Sequence, residues 1–169
     1  MHENETPQTD DNIRIRVYDA AEAPSPAAAA DAEPLREYRT HNVTRAAYHE
    51  AVVGNLAGSS SDLTVDKLAL GDSTTATGNL AKTAVLGNET FRTTVTDGFA
   101  DGQEFVASTF IGSAEGNGKT FEEAALVAET GGGDTPINRF LIDDPGGLLA
   151  PKSSSETVTI DITITQQDG

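Results

Sequence analysis

The sequence predicts a mainly β protein: an antiparallel β-sandwich of jelly-roll type, with one N-terminal helix and an extended N-terminal arm. Three observations predict it. In the closing stretch, Glu156 to Thr165, Val158, Ile160, Ile162 and Ile164 alternate with Thr157, Thr159, Asp161, Thr163 and Thr165. That period of two suits a strand with one buried and one wet face, and no helix can use it. Strand-like stretches separated by Gly- and Asp-rich turns recur through the second half of the chain, and a single stretch carries a helical pattern. Strand after strand with one helix is the signature of two packed antiparallel layers.

Composition narrows the function classes. With 169 residues, the chain can bury a core in one domain plus an arm, expected here as an arm over 1–34 and a helix-plus-sandwich domain over 35–169. No cysteine is present, so disulfides, thiolate metal sites and cysteine nucleophiles are excluded. The net charge of −16 argues against nucleic acid and anionic membranes as partners. Only Lys67, Lys82, Lys119 and Lys152 are lysines, and Ala and Thr are abundant. This balance predicts adaptation to high salt, which screens the self-repulsion of an acidic surface. No apolar run is long enough to span a bilayer, and the start, MHENETPQTDD, lacks the basic and apolar regions of a signal peptide.

In chain order, residues 1–11 are polar and are expected to be disordered on their own. Ile13, Ile15 and Val17 then alternate with Arg14, Arg16 and Tyr18 as a short strand, followed by a Pro/Ala-rich stretch to Pro34 that reads as a semi-extended linker. A strand ahead of a linker has no local partner. It can return to the main sheet or add to a neighbouring chain, and the reach of the linker favours the second, making Ile13, Ile15 and Val17 the expected assembly residues.

Val43 to Ala57 reads as a helix, capped by Asn42 or Thr44 and stopped by Gly58, with Ala47, Tyr48, Ala51, Val52 and Leu56 within one half of its surface. Leu63 to Leu70 is the next strand, ending at Gly71, and 71–82 is too rich in Gly, Ser, Thr and Asn for a core element, so it reads as a long surface loop. Strands follow at Thr90 to Thr96, Glu104 to Gly112, Phe121 to Val127 and Ile137 to Ile142. The segment 97–102, DGFADG, reads as the hairpin connection between the first two, and 115–118, 130–136 and 143–147 as turns.

The residues nominate no catalytic, cofactor-binding or metal site. His41 and His49 lack the i, i+4 spacing of a helical zinc pair, and His2 lies in the arm. Glu122 and Glu123 are neighbours on a strand, so they point to opposite faces and cannot form an acid/base couple. Asp143 and Asp144 precede Pro145 and Gly146 and read as a turn. GGGD at 131–134 lacks the residues of a phosphate loop, and the serines at 59–61 and 153–155 have no local His. Asn4, Asn42 and Asn88 head N-x-T triplets and are expected to be unmodified. An enzyme is not expected, and neither is a cofactor.

One ordered set of short motifs remains: NLAG at 55–58, LALGDST at 68–74, LGNETFR at 86–92, EGNGKTFEEAALV at 115–127, NRFLI at 138–142, Lys152, and the closing TVTIDITIT strand. In this order the stretch resembles a family of short structural proteins encoded among the tail, baseplate and fibre genes of tailed viruses of bacteria and archaea. The resemblance implies a small β-domain that assembles as a homo-oligomer, a trimer. It also implies attachment to other virion structural proteins in a baseplate, tail tip or fibre, in support of host attachment. The location implied is the virion, made in the host cytoplasm, and the acidic surface fits a virus of a salt-loving archaeon. No catalytic residue comes with it. Two alternatives stand beside this reading: a capsid-surface turret or spike subunit, and a carbohydrate-binding receptor-recognition module. The chain has no Trp, and Tyr18, Tyr38 and Tyr48 all precede the sandwich proper.

Overall fold

The computed structural model describes residues 12–41, 43–59, 63–130, 133–142 and 151–165. The elements are β1 (Ile13–Asp19), α1 (Pro26–Asp31), β2 (Arg36–Thr40), β3 (Val43–Thr44), α2 (Ala46–Leu56), β4 (Lys67–Gly71), β5 (Glu89–Thr94), β6 (Asp97–Asp101), β7 (Glu104–Ile111), β8 (Glu123–Thr130), β9 (Gly133–Pro136), β10 (Asn138–Leu141) and β11 (Glu156–Thr165). The mainly β expectation holds. The strands form two antiparallel sheets, a first in the order β2-β1-β11-β7-β6 and a second in the order β3-β10-β8-β4-β5, with β9 also on β8.

The alternation in β11 decides which side is inside. Val158, Ile160, Ile162 and Ile164 join Ile13, Ile15, Val17, Ala107 and Ile111 of the first sheet and Leu68, Leu70, Ala124, Leu126 and Phe140 of the second in one buried cluster. A period-two strand hands every second side chain to that cluster, and the threonines and Asp161 stay on the other face.

The expected assembly arm is corrected. Ile13, Ile15 and Val17 do not leave their own subunit: β1 pairs with β11 through Ile13 and Ile162, Ile15 and Ile160, and Val17 and Val158, and with β2 on its other side. All three side chains are at most 1% exposed. The reason lies in the stretch read as a linker, which turns the chain back. Ser25 Oγ accepts from Ala28 N–H at 3.2 Å and Pro26 opens α1, an N-terminal pairing of cap and proline. Ala23 and Ala29 then pack on Tyr18 over the outer face of the first sheet. Residues 12–34 are therefore part of the domain, and no separate arm exists among them.

Other boundaries move for local reasons. The predicted helix begins later, at Ala46, with Arg45 as an N-cap that makes no side-chain cap bond, because Val43–Thr44 pair with β10 as β3. Gly58 ends the helix at φ 90°, where a left-handed conformation favours glycine. DGFADG is not merely a connection: Asp97–Asp101 is strand β6, and the turn into β7 is made at Gly102, φ 60°. Part of the segment 130–136 likewise forms β9 on β8. Between β9 and β10 the register against β8 slips at Ile137, and Asn138 Oδ1 fills the gap by accepting from Leu126 N–H at 2.8 Å. The polar start 1–11 with His2 and Asn4, the cap candidate Asn42, Ser60 and Ser61, the glycines at 131–132, and the turn at 143–147 with Asp143 and Asp144 lie outside the described residues.

Candidate functional site

Several of the sequence motifs meet in space at Glu123. It sits on the outer face of the second sheet, since Ala124 and Leu126 of the same strand point into the core. Its Oε1 accepts from Asn88 N–H at 2.8 Å, and its Oε2 accepts from Gly87 N–H at 2.9 Å and from Arg139 Nε at 2.8 Å. Arg139 Nη1 donates to Thr77 Oγ1 at 2.8 Å. Beside it, Arg45 donates to the carbonyls of Thr77 (3.2 Å), Ala81 (2.7 Å) and Ala84 (3.2 Å). Burial lowers the pKa of Arg45, and repulsion from Arg139 adds to the effect.

These bonds tie the segment 72–88 down as a strap. Leu86 packs on Ala69, Ala125 and Val127 of the outer face. Gly71 admits the strap closely, for a Cβ there would collide with the carbonyl oxygen of Asn88. The long loop is thus largely a structural cover. Glu123, with both oxygens occupied by donors, is held as a fixed acceptor rather than as a base. Lys152, 1% exposed, plays a similar part at another junction by donating to Asn117 Oδ1 at 2.9 Å. The face of Glu123 is readable from strand alternation; its partners, 16 and about 35 residues away, are not.

A second feature lies at the surface. A cleft of about 870 Å³ opens beside α2. Tyr48, Leu63, Val65, Val95, Phe105, Ile137 and Ile164 give it an apolar lining, Asp66, Asp97 and Glu104 an acidic rim, and no described lining residue is Lys or Arg. Next to it, no side chain of α2 is fully buried, Tyr48 packs partly on the core, and Val53 and Leu56 are left 63% and 85% exposed. Its only acid, Glu50, pairs with Lys82 at 2.8 Å. On a chain of net charge −16, this is a nearly neutral apolar helix. Sequence periodicity placed Tyr48 and Leu56 on one face of this helix but not its exposure.

Neither of these places holds Ile13, Ile15 or Val17, which line the core. Among the described residues no group of three or more His, Asp or Glu side chains converges in a way that could hold a metal ion, and no helix is long and apolar enough to cross a membrane. No family model, curated protein or solved structure matches the chain.

Proposed function

We propose that the chain is a structural component of a virus particle, placed in the tail as part of the baseplate, tip or fibre attachment. There it builds the particle and supports host attachment as a homo-oligomer, a trimer, bound to other virion structural proteins and not to nucleic acid or membrane. We read its two sheets, whose inner faces share one apolar cluster, as a β-sandwich of jelly-roll type. The observation that carries the proposal is the neutral, apolar surface of α2 on an otherwise strongly acidic chain. Two copies approaching through any other acidic face repel one another; through α2 they bury Val53 and Leu56 with little charge to desolvate.

The motif residues support the same reading from inside. Gly87, Asn88, Glu123 and Arg139 all belong to the ordered set that resembles tail proteins, and they form one hydrogen-bonded junction. The set therefore describes a framework rather than scattered turns. The acid excess is read as adaptation of the particle to molar salt.

Analytical ultracentrifugation in molar KCl tests the assembly. The intact chain is expected to sediment as an oligomer, and Val53→Asp with Leu56→Asp to give a monomer of unchanged far-ultraviolet dichroism. A monomeric wild type, or a doubly substituted variant that still assembles, contradicts the proposal.

A further inference from the structure

We propose that Lys152 and Asn117 join through their side chains in an amide bond that the folded chain makes by itself, with loss of ammonia. This stands on the geometry of their junction and does not depend on the virion reading.

The two residues are clamped by backbone as well as by side chain. Gly118 N–H donates to the Lys152 carbonyl at 2.9 Å, and Lys152 N–H donates to the Lys119 carbonyl at 3.2 Å. Asn117 Nδ2 donates to the Ser113 carbonyl at 2.8 Å, which fixes the amide and leaves its oxygen facing Lys152 Nζ, 2.9 Å away. A nucleophile held in contact with the group it attacks has the advantage of an intramolecular reaction.

Lys152 is an amine suited to the attack. It is 1% exposed, and burial holds its pKa below the ordinary lysine value, which favours the neutral, nucleophilic form. Two carboxylates, Glu156 and Glu115, lie close enough to act on its charge. Glu156 is taken up by Arg36 at 2.6 Å. Glu115 is held by a neutral donor instead, Gly112 N–H at 2.8 Å, and is the carboxylate left to carry a proton.

In the reaction, neutral Nζ adds to Asn117 Cγ, and the Cγ–Nδ2 bond breaks. Glu115 accepts a proton from Nζ and passes it to the departing nitrogen, which leaves as ammonia. One C–N bond forms and one breaks, the carboxylate is restored, and nothing is oxidised or reduced. In an Asn–Gly pair the rival nucleophile is the glycine nitrogen, but here the Gly118 N–H is engaged by the Lys152 carbonyl. The bond closes a loop between residues 35 apart and ties the connection between β7 and β8 to the approach to β11. For a chain without cysteine, it restricts the unfolded state as a disulfide does elsewhere.

The test is the intact mass of the full chain, kept folded in molar KCl and then denatured for mass spectrometry. The wild type is expected to be lighter than its sequence by one ammonia. Trypsin should release residues 93–119 and 140–169 as one branched peptide, uncut after Lys152. Lys152→Arg should keep its full mass. Glu115→Gln should fold, with wild-type far-ultraviolet dichroism, and stay unjoined over the time in which the wild type reacts. A wild type that keeps the mass of its sequence and is cut after Lys152 overturns the proposal. Ammonia loss that persists in Lys152→Arg overturns it too, because it places a succinimide at Asn117 instead. Joining of Glu115→Gln at the wild-type rate overturns the role given to Glu115.

Discussion

Arg139 and Glu123, on the paired strands β10 and β8, are both wholly buried, with Arg139 Nε donating to Glu123 Oε2 at 2.8 Å and Nη2 2.6 Å from the same oxygen. A buried pair of this kind need not add stability against an apolar substitute, but breaking it is costly, since one charge is then left alone out of water. Here the cost is raised by Arg45, a second buried guanidinium whose hydrogen bonds go to backbone carbonyls. Glu123→Gln therefore leaves Arg139 buried without a carboxylate and beside a second buried cation, Arg45. We expect a loss of about 3–5 kcal/mol, measured by chemical denaturation. The double variant Glu123→Gln, Arg139→Met should lose less than the sum of the two single changes; strict additivity would mean that the two side chains are not coupled.

Removal of residues 1–33 takes away β1, which lies between β2 and β11 and contributes Ile13, Ile15 and Val17 to the core. The truncated chain should fail to fold, losing its β-type far-ultraviolet dichroism. A folded truncated domain would show that β1 is dispensable to its own sheet.

What was legible in the sequence and what was not follows from how each element is held. β11 announces itself because alternation alone places four branched side chains on one face. β1 was equally legible as a strand, yet its partner was not. β2, REYRT, has no apolar alternation to mark it, and is joined to β1 by its backbone and by Arg14 to Glu37 at 2.6 Å, and reaches β11 through Arg36 to Glu156 at 2.6 Å. A polar edge strand of this kind looks like a loop. β6 hid for a related reason: DGFAD has turn composition, and only pairing with β7 makes it a strand. The pairing of Arg16 with Asp161 was out of reach, since the two are 145 residues apart and meet only through the β1–β11 ladder.

Lys152 supplies a pH signature. Burial holds its pKa below the ordinary lysine value, with Glu156 and Glu115 pulling weakly the other way. Between the folded and unfolded pKa values the unfolded chain binds more protons than the folded one, so stability rises with pH through that window. Below it, the buried charge is a constant burden. Relative to Lys152→Met, which has no such proton, the wild type with its Lys152 amine still free should gain in melting temperature as pH rises toward the ordinary lysine pKa of about 10.4. A difference constant across that range would show that Lys152 titrates alike in both states.

With twenty-seven acidic against eleven Lys and Arg residues, we expect salt to stabilise the fold. Salt weakens surface pairs such as Arg92 with Glu89 at 2.7 Å, but such pairs contribute little each. We expect the relief of acid–acid repulsion, with the Debye length falling to about 3 Å at 1 M, to outweigh them. The melting temperature should climb steadily from dilute buffer to molar KCl, and a flat curve would remove the salt adaptation.

The most direct measurement for the account as a whole is immunogold electron microscopy on gradient-purified virus particles from the producing host, with antibodies raised against the folded domain. Gold clustered at the tail, on baseplate, tip or fibre base, is the result the account predicts. Particles left unlabelled while the protein stays in the host-cell fraction, or gold spread over the capsid alone, would contradict it.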